Sequence, residues 1–411
     1  MFQIYSWPSV ILHVDGDAFF ASCIQATHPT LRDKPVVAGA ERGIATAVSY
    51  QARALGITRG IPVAKIRKLF PQCVVFHSDY RTYHIFSQKM FMILRKYSPC
   101  VEEYSIDEAF ADLQGMRRPL HMTYREIGKR VQQEIHTTLG ITVSVGISLT
   151  KSLAKIASSH SKPSGFTLIP GHSIEDFLGK RKLSDIWGVG PQTASYLQKL
   201  GLRTALEFVN MSEEAVKQRL SKPYFEIWQE LRGIKVYEVS SHSKSAYKSM
   251  IQSRTFPPTQ DKDILWARLL SHIEDVFTRA RVSDYYVGTV TIFLKTQEFR
   301  YIRREIVLEE KIQYPYLIHQ KLKDIFDEIY QKNILYRTAG CILSDLDQKA
   351  VQQTSLFEPT IELQKKVKNI YPLLDSRKVH FGSALFDEQK SIEKKAPPLF
   401  TLPTLSLSNL G

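Results

Sequence analysis

The stretch SVILHV (9–14) is apolar almost throughout, and it stops at Asp15-Gly16-Asp17. A short apolar run closed by turn residues predicts a buried strand, which in turn requires a sheet around it. AFFASCIQA (18–26) follows as a helix with Asp17 in the N-cap position. PVVAG (35–39) reads as a further strand and residues 79–97 as a long helix. VEEYSI (101–106) and EAFADL (108–113) alternate on either side of Asp107 as a hairpin. A helix near 121–139, the strand ITVSVGIS (141–148) and the helix TKSLAKIASS (150–159) complete the pattern. Strands and helices in this order predict a mixed sheet with helices on one face, in the α+β class.

Residues 173–233 change character and read as helical. Within them IWGVGPQTASYLQKLGL (186–202) holds a tight Gly-Val-Gly turn that opens a helix. Pro191 suits the first turn of that helix and Gly201 its end. The polar stretch SSHSKSAYKS (240–249) reads as part of a linker. Beyond it strand, helix, strand, strand, helix, strand are predicted near 248–256, 261–282, 285–295, 299–308, 314–332 and 334–344. That βαββαβ order is a compact unit in its own right. From about Asp347 the pattern fades into Gln, Ser, Lys and Pro, which predicts a mostly disordered tail.

Asp15 ends one predicted strand, and Asp107-Glu108 lie at the turn between two others. Taken singly, Asp15 is equally a turn residue, and an acid pair at a hairpin tip is commonly solvated. If the strands are neighbours, three carboxylates meet at one sheet edge. Hard oxygen donors of that kind suit Mg²⁺, and two such ions can clamp the attacking and leaving oxygens of a phosphoryl displacement. Cationic groups of phosphate-binding type accompany them. SYQAR (49–53) sets Tyr50 and Arg53 on one helix face, and Lys151, Lys155 and Lys162 fall in a stretch, 148–165, without an acid.

Composition narrows the partners. Lys and Arg number 55 against 41 Asp and Glu, a formal charge of +14, which favours a polyanion such as nucleic acid. On charge alone, a basic protein without such a partner would look the same. Cys23, Cys73, Cys100 and Cys341 lie far apart with no CxxC pair, which argues against a zinc ribbon and against a disulfide framework and fits a reducing cytoplasm. No apolar run approaches a membrane span, and the absence of Lys or Arg before Arg32 argues against a signal peptide.

Four segments then carry a resemblance: VDGDAFFAS (14–22), SIDEAF (105–110), GISLTKSLAKIASSHSKPSG (146–165) and WGVGPQTASYLQKLG (187–201). In order and spacing they resemble the Y-family translesion DNA polymerases, most closely the DinB, or DNA polymerase IV, class. The resemblance spans residues 8–345. It implies a right-hand polymerase: a palm at 1–18 and 78–168, small fingers at 19–77, a helical thumb with a helix-hairpin-helix at 169–233, a linker at 234–244 and a βαββαβ little finger at 245–346.

The same resemblance implies residue roles. Asp15, Asp107 and Glu108 would be catalytic and hold two Mg²⁺ ions, with the Gly16 carbonyl assisting. Phe20 would be the steric gate that selects deoxynucleotides. Ala18 and Phe19 would offer backbone N–H groups to the dNTP, and Tyr50, Arg53 and Lys162 side-chain contacts to its triphosphate. Where the family has Thr three residues before the Tyr, this chain has Ala47, with Thr46 one place off, and weaker nucleotide binding is expected. Gly188 and Gly190 would grip DNA phosphates without reading sequence, and Lys295, Arg300, Arg303 and Arg304 would add phosphate contacts from the little finger. QTSLF (353–357) resembles the pentapeptide that binds the bacterial sliding clamp, with Leu356 and Phe357 filling a pocket and Gln353 at its rim. The expected activity is template-directed, low-fidelity translesion synthesis on primer-template DNA by a cytoplasmic monomer without a proofreading nuclease. The alternatives are a non-catalytic recruitment protein binding DNA and clamp, which would call for loss of a carboxylate, and a nucleotide cyclase, which the thumb and the basic βαββαβ unit disfavour.

Overall fold

Ile11–Gly16 is the central strand of a five-stranded sheet in the computed structural model, which describes residues 4–241 and 247–348. The sheet runs Val101–Glu103, Glu108–Asp112, Ile11–Gly16, Val143–Ser148, Phe166–Leu168. All neighbours are antiparallel except the last pair, which is parallel, so the sheet is mixed as expected. The register sets Asp15 directly opposite Glu108 on one side and Ser144 on the other.

Helices cover both faces of this sheet, not one. Leu12, Val14, Val145 and Ile147 point into a core shared with the helices Tyr80–Arg95 and Tyr124–Leu139. Ile11 and Phe110 point the other way, against Ala154 of the helix Lys151–His160. Two glycines make the contacts close. A Cβ on Gly146 would lie 2.1 Å from the Ala154 carbonyl, and one on Gly128 would lie 2.8 Å from Ile147 Cδ1. Residues 146 and 147 are adjacent, so they face opposite ways. All six residues of Val143–Ser148 are accordingly buried.

The local signals mostly hold. Tyr80–Arg95 is capped by Asp79, whose carboxylate accepts from the amides of Arg81 and Thr82. Tyr124–Leu139 opens on a capping box of Thr123 and Glu126. Asp17, however, is not a cap: Ala18, in the left-handed region at φ 46°, precedes the helix Phe19–Thr27, and no side chain caps it. Residues 36–76 form a small three-stranded sheet, Ala47–Val48, Val36–Ala38, Val74–Phe76, beside the short helices Tyr50–Ala54 and Val63–Leu69.

Between residues 170 and 233 come five α-helices: Ile174–Gly179, Pro191–Lys199, Ala205–Val209, Glu213–Arg219 and Lys222–Leu231. Their core is continuous with Leu149, Leu153 and Ile156, on the outer side of the 151–160 helix. Residues 234–241, expected to be linker, return across this first unit instead. Val236 and Tyr237 donate their amides to buried Glu230 at 2.8 and 2.9 Å, Ser240 donates to Glu102 at 3.0 Å, and the Cys100 thiol donates to the Val239 carbonyl at 3.1 Å.

The second unit has its own core. Its antiparallel sheet runs Tyr301–Ile312, Tyr286–Thr296, Tyr336–Asp347, Ser249–Thr259, with Lys262–Val282 and His319–Ile329 on one face. The βαββαβ order read from the sequence is the order observed. The QTSLF segment and the rest of the tail lie outside the described residues.

Candidate active site

The carboxylates that the sequence singled out are neighbours along the sheet edge. Asp15 and Glu108 pair across adjacent strands, and the Gly16 amide donates to the Asp107 carbonyl at 2.8 Å. Each side chain is separately engaged. Lys162 pairs with Asp15, Lys155 pairs with Glu108 at 2.5 Å, and the Ser105 hydroxyl donates to Asp107 at 2.6 Å. Among the described residues no three His, Cys, Asp or Glu side chains converge closely enough to hold an ion as they stand. Burial pushes the Glu108 carboxyl up; Lys155 pulls it back, Asp15 and Asp107 push it up again, and the net direction is upward.

The helix 151–160 and the loop after it thus bring three ammonium groups to three carboxylates. Two serve the site. The third, Lys151, is closed off: it pairs with Glu102 at 2.7 Å and sits 4.7 Å from the centre of the Phe110 ring. Its phosphate-binding character, as read from the sequence, is not available in this arrangement. His13, fully buried beneath, donates from Nδ1 to Ser158 Oγ at 2.7 Å, because the Ser158 hydroxyl already donates to the Lys155 carbonyl. Burial, and then the three lysines, hold its imidazole well below the ordinary range, so it is neutral.

Asp17 organises the loop that carries Lys162. Its buried carboxylate accepts from the Ser144 hydroxyl at 2.8 Å and from the Ser164 amide at 2.7 Å. Just beyond, the helix Phe19–Thr27 presents an uncapped N-terminus beginning at Ala18. The Phe19 ring lies over Gly16, where a Cβ would sit 2.8 Å from it. Phe20 remains half-buried, stacked on Tyr83 with centroids 4.3 Å apart and edge-on to Tyr80 at 5.7 Å.

Tyr50 and Arg53 share a face, as their spacing predicts: the guanidinium lies 4.5 Å from the Tyr50 ring centre. Tyr50 also feels the sheet edge. Burial first, then the Asp17 and Asp15 carboxylates, raise its hydroxyl against the opposing pull of Arg53. Thr46 is no substitute for the Thr missing at Ala47, since its hydroxyl donates to the Ala38 carbonyl at 3.1 Å.

Beside Asp15 opens a cavity of about 440 Å³, lined by Lys155, His160, Arg181 and Trp187 among others. Trp187 packs edge-on against Tyr104 at 5.5 Å and so ties the 186–202 turn to the hairpin that carries Asp107. Gly188 needs its left-handed φ of 87°, and a Cβ there would also meet Ile227 at 2.8 Å. Gly190 precedes Pro191–Lys199, another helix start without a side-chain cap.

The second unit sorts its cations by face. Arg303 pairs with Phe293, and Tyr301 with Lys295, on the sheet face away from the helices. Arg304 pairs with Ile292 on the helix side, and its guanidinium reaches Glu328 at 3.3 Å. Arg304 is itself exposed, so it differs from Arg303 in the face it projects from and in its carboxylate partner. The signal was present: Arg304 sits two residues from both Ile302 and Ile306 in a period-two strand. Arg300 is exposed in the hairpin turn. Arg337, which sequence reasoning did not pick out, lies 4.5 Å from the Phe299 ring centre.

Three family models match the chain: the impB/mucB/samB family over residues 14–159, the IMS family HHH motif over 173–202 and the impB/mucB/samB C-terminal domain over 247–356. A DNA polymerase IV of Desulfatibacillum aliphaticivorans is 32% identical over 382 residues, covering 91% of this chain and 95% of that relative. One from Moorella thermoacetica is 33% identical over 353 residues, covering 84% and 88%. Among solved structures, a Y-family DNA polymerase chimera shares the fold with a TM-score of 0.71 at 23% identity, over 83% of this chain and all of that one. The carboxylate edge, the uncapped helix start and these matches converge on one assignment: the chain belongs to the impB/mucB/samB family, as a Y-family DNA polymerase of the DinB, or DNA polymerase IV, class.

Proposed function

We propose that this DNA-directed DNA polymerase performs low-fidelity synthesis past template lesions, joining a dNTP to a primer 3′-OH with loss of pyrophosphate. The observation that carries the reading is the pairing of Asp15 with Glu108, with Asp107 adjoining through the Gly16 amide. The donor set fits a hard divalent cation. It offers oxygen only, and the Glu108 carboxyl is raised first by burial and then by the Asp15 and Asp107 charges, a set of acids that a cation would relieve. Asp15, Asp107, Glu108 and the Gly16 carbonyl would hold Mg²⁺, two ions per site. Bound there, they supply charge neutralisation for the attacking and leaving oxygens.

The remaining roles belong to the chain itself. Lys162, Arg53 and the Tyr50 hydroxyl receive the triphosphate, and the amides at Ala18 and Phe19 face its charge from a helix start. Lys162 now pairs with Asp15, so it can exchange that carboxylate for a phosphate oxygen as the nucleotide enters. Phe20, held by its stacking on Tyr83, would refuse a ribose 2′-OH. Lys155, Arg181 and His160 line the cavity that suits the primer end. Gly188 and Gly190, with Lys295, Arg300 and Arg303, hold phosphates of the DNA backbone.

Fingers whose strands are two or three residues long enclose the nascent pair loosely, which supports lesion tolerance at the expense of fidelity. We read the described elements as palm, fingers, thumb and little finger, and the enzyme as one that does not proofread. We also read residues 353–357 as a sliding-clamp ligand, with Leu356 and Phe357 as its anchors, and the chain as a cytoplasmic monomer.

Primer extension with Mg²⁺ and dNTPs, on intact and on damaged template and with and without a sliding clamp, tests the proposal. Extension that Asp107→Ala abolishes is expected, with clamp stimulation lost on deleting 353–357. A wild-type protein as inactive as Asp107→Ala would instead support a recruitment role.

A further inference from the structure

The hairpin tip of the second unit holds an aromatic residue where the backbone suits glycine. The Phe299 amide donates to the Thr296 carbonyl at 3.1 Å, and the Arg300 amide to the Thr296 hydroxyl at 3.3 Å, which closes a short loop between the strands. Phe299 has φ 68°, a conformation that hairpin loops normally give to Gly or Asn. A bulky side chain there is strained, and strain of this kind concentrates where a segment has work to do.

The ring gains no burial in return. Phe299 is 60% exposed and Tyr301 is 61% exposed. Lys295 lies 4.8 Å from the first ring centre and 4.6 Å from the second, and Arg337 lies 4.5 Å from Phe299. Two exposed aromatic rings, with two cations lying over them, thus stand together at one end of the sheet. Cation–π contacts at exposed sites are too weak to explain a strained backbone. Stacking platforms flanked by positive charge are how proteins hold single-stranded nucleic acid without reading its sequence.

We propose that Phe299 and Tyr301 stack an unpaired nucleobase of single-stranded DNA, with Lys295 and Arg337 taking the adjoining phosphates. The occupant follows from charge and from the polymerase reading on which this rests. The chain carries +14, and a template-directed enzyme always has unpaired template at hand.

The test is Phe299→Gly in the full chain, because glycine suits φ 68° and leaves the fold at least as stable. Binding of a labelled oligothymidylate is measured across a salt series, beside the melting temperature. The expected result is an unchanged or higher melting temperature, affinity lower by roughly tenfold, and an unchanged salt slope, since no charge is lost. Phe299→Leu, which keeps apolar bulk without a ring, should lose affinity likewise. Lys295→Gln should instead flatten the slope by about 0.7. Wild-type affinity in a folded Phe299→Gly overturns the proposal, as does a loss confined to binding of a protein such as the clamp. Wild-type primer extension is the control: its absence would defeat the polymerase reading, while its presence beside an unaltered Phe299→Gly defeats this inference alone.

Discussion

Asp17 sits two residues from the most legible acid in the chain, yet its role was not readable. Its donors, Ser144 and Ser164, are 127 and 147 residues away, so local pattern suggested only a helix cap. Asp17→Asn keeps an acceptor but sets an NH₂ against a donor in a buried site. A cost of about 1–3 kcal/mol is expected in a urea melt. Because the Ser164 amide anchors the loop bearing Lys162, the KM for dNTP should also rise; a KM that stays at the wild-type value would show that the anchor does not feed the site. Phe20 was singled out by a contiguous motif, and its role as a gate is a proposal. Removing the ring in Phe20→Ala leaves Tyr83 without its stacking partner and opens the sugar position. Ribonucleotide insertion should rise, and unaltered sugar discrimination would refute the gate.

Elements were legible wherever period and punctuation agreed, as in the βαββαβ unit and the Thr123 capping box. The return of residues 234–241 across the sheet was not, since its polar composition reads as linker while its attachments are made by buried Glu230, just upstream, and by remote Glu102. Glu230 is the main one: fully buried, it accepts from the amides of Ser152, Val236 and Tyr237. Glu230→Ala leaves three donors without a partner. A loss on the order of 3 kcal/mol is expected, with new proteolytic cleavage between 232 and 241; a segment that stays resistant would contradict the anchoring. A second staple joins two helices behind the sheet, where Glu134 accepts from Lys96 at 2.7 Å and Tyr97 at 2.6 Å. Burial raises the Glu134 carboxyl, but those hydrogen bonds outweigh it and leave it below its ordinary value of 4.5. The folded state then binds fewer protons than the unfolded one below that value, so the staple is fully present above pH 4.5 and lost as pH falls through the folded value. Glu134→Gln should therefore melt lower than wild type at pH 7, with the difference narrowing below pH 4.5.

The charge of +14 belongs to the whole molecule, and it pointed to a polyanion without saying which cations would meet it. The structure divides them. Lys151, which is buried, is consumed by Glu102; Arg303 and Arg304 are both exposed, but Arg304 reaches Glu328 on the helix side while Arg303 lies across from Phe293. Each phosphate neutralised on duplex DNA contributes about 0.9 to the slope of log affinity against log salt. Measured on primer-template DNA, Arg303→Ala should lower that slope by about one contact's worth and weaken binding evenly across sequences. Arg304→Ala should leave the slope near wild type, because its charge is already answered by Glu328 on the helix side. Equal slopes for the two variants would mean that sheet face does not decide which arginine meets DNA, and the assignment of the open face as the binding surface would fall with it.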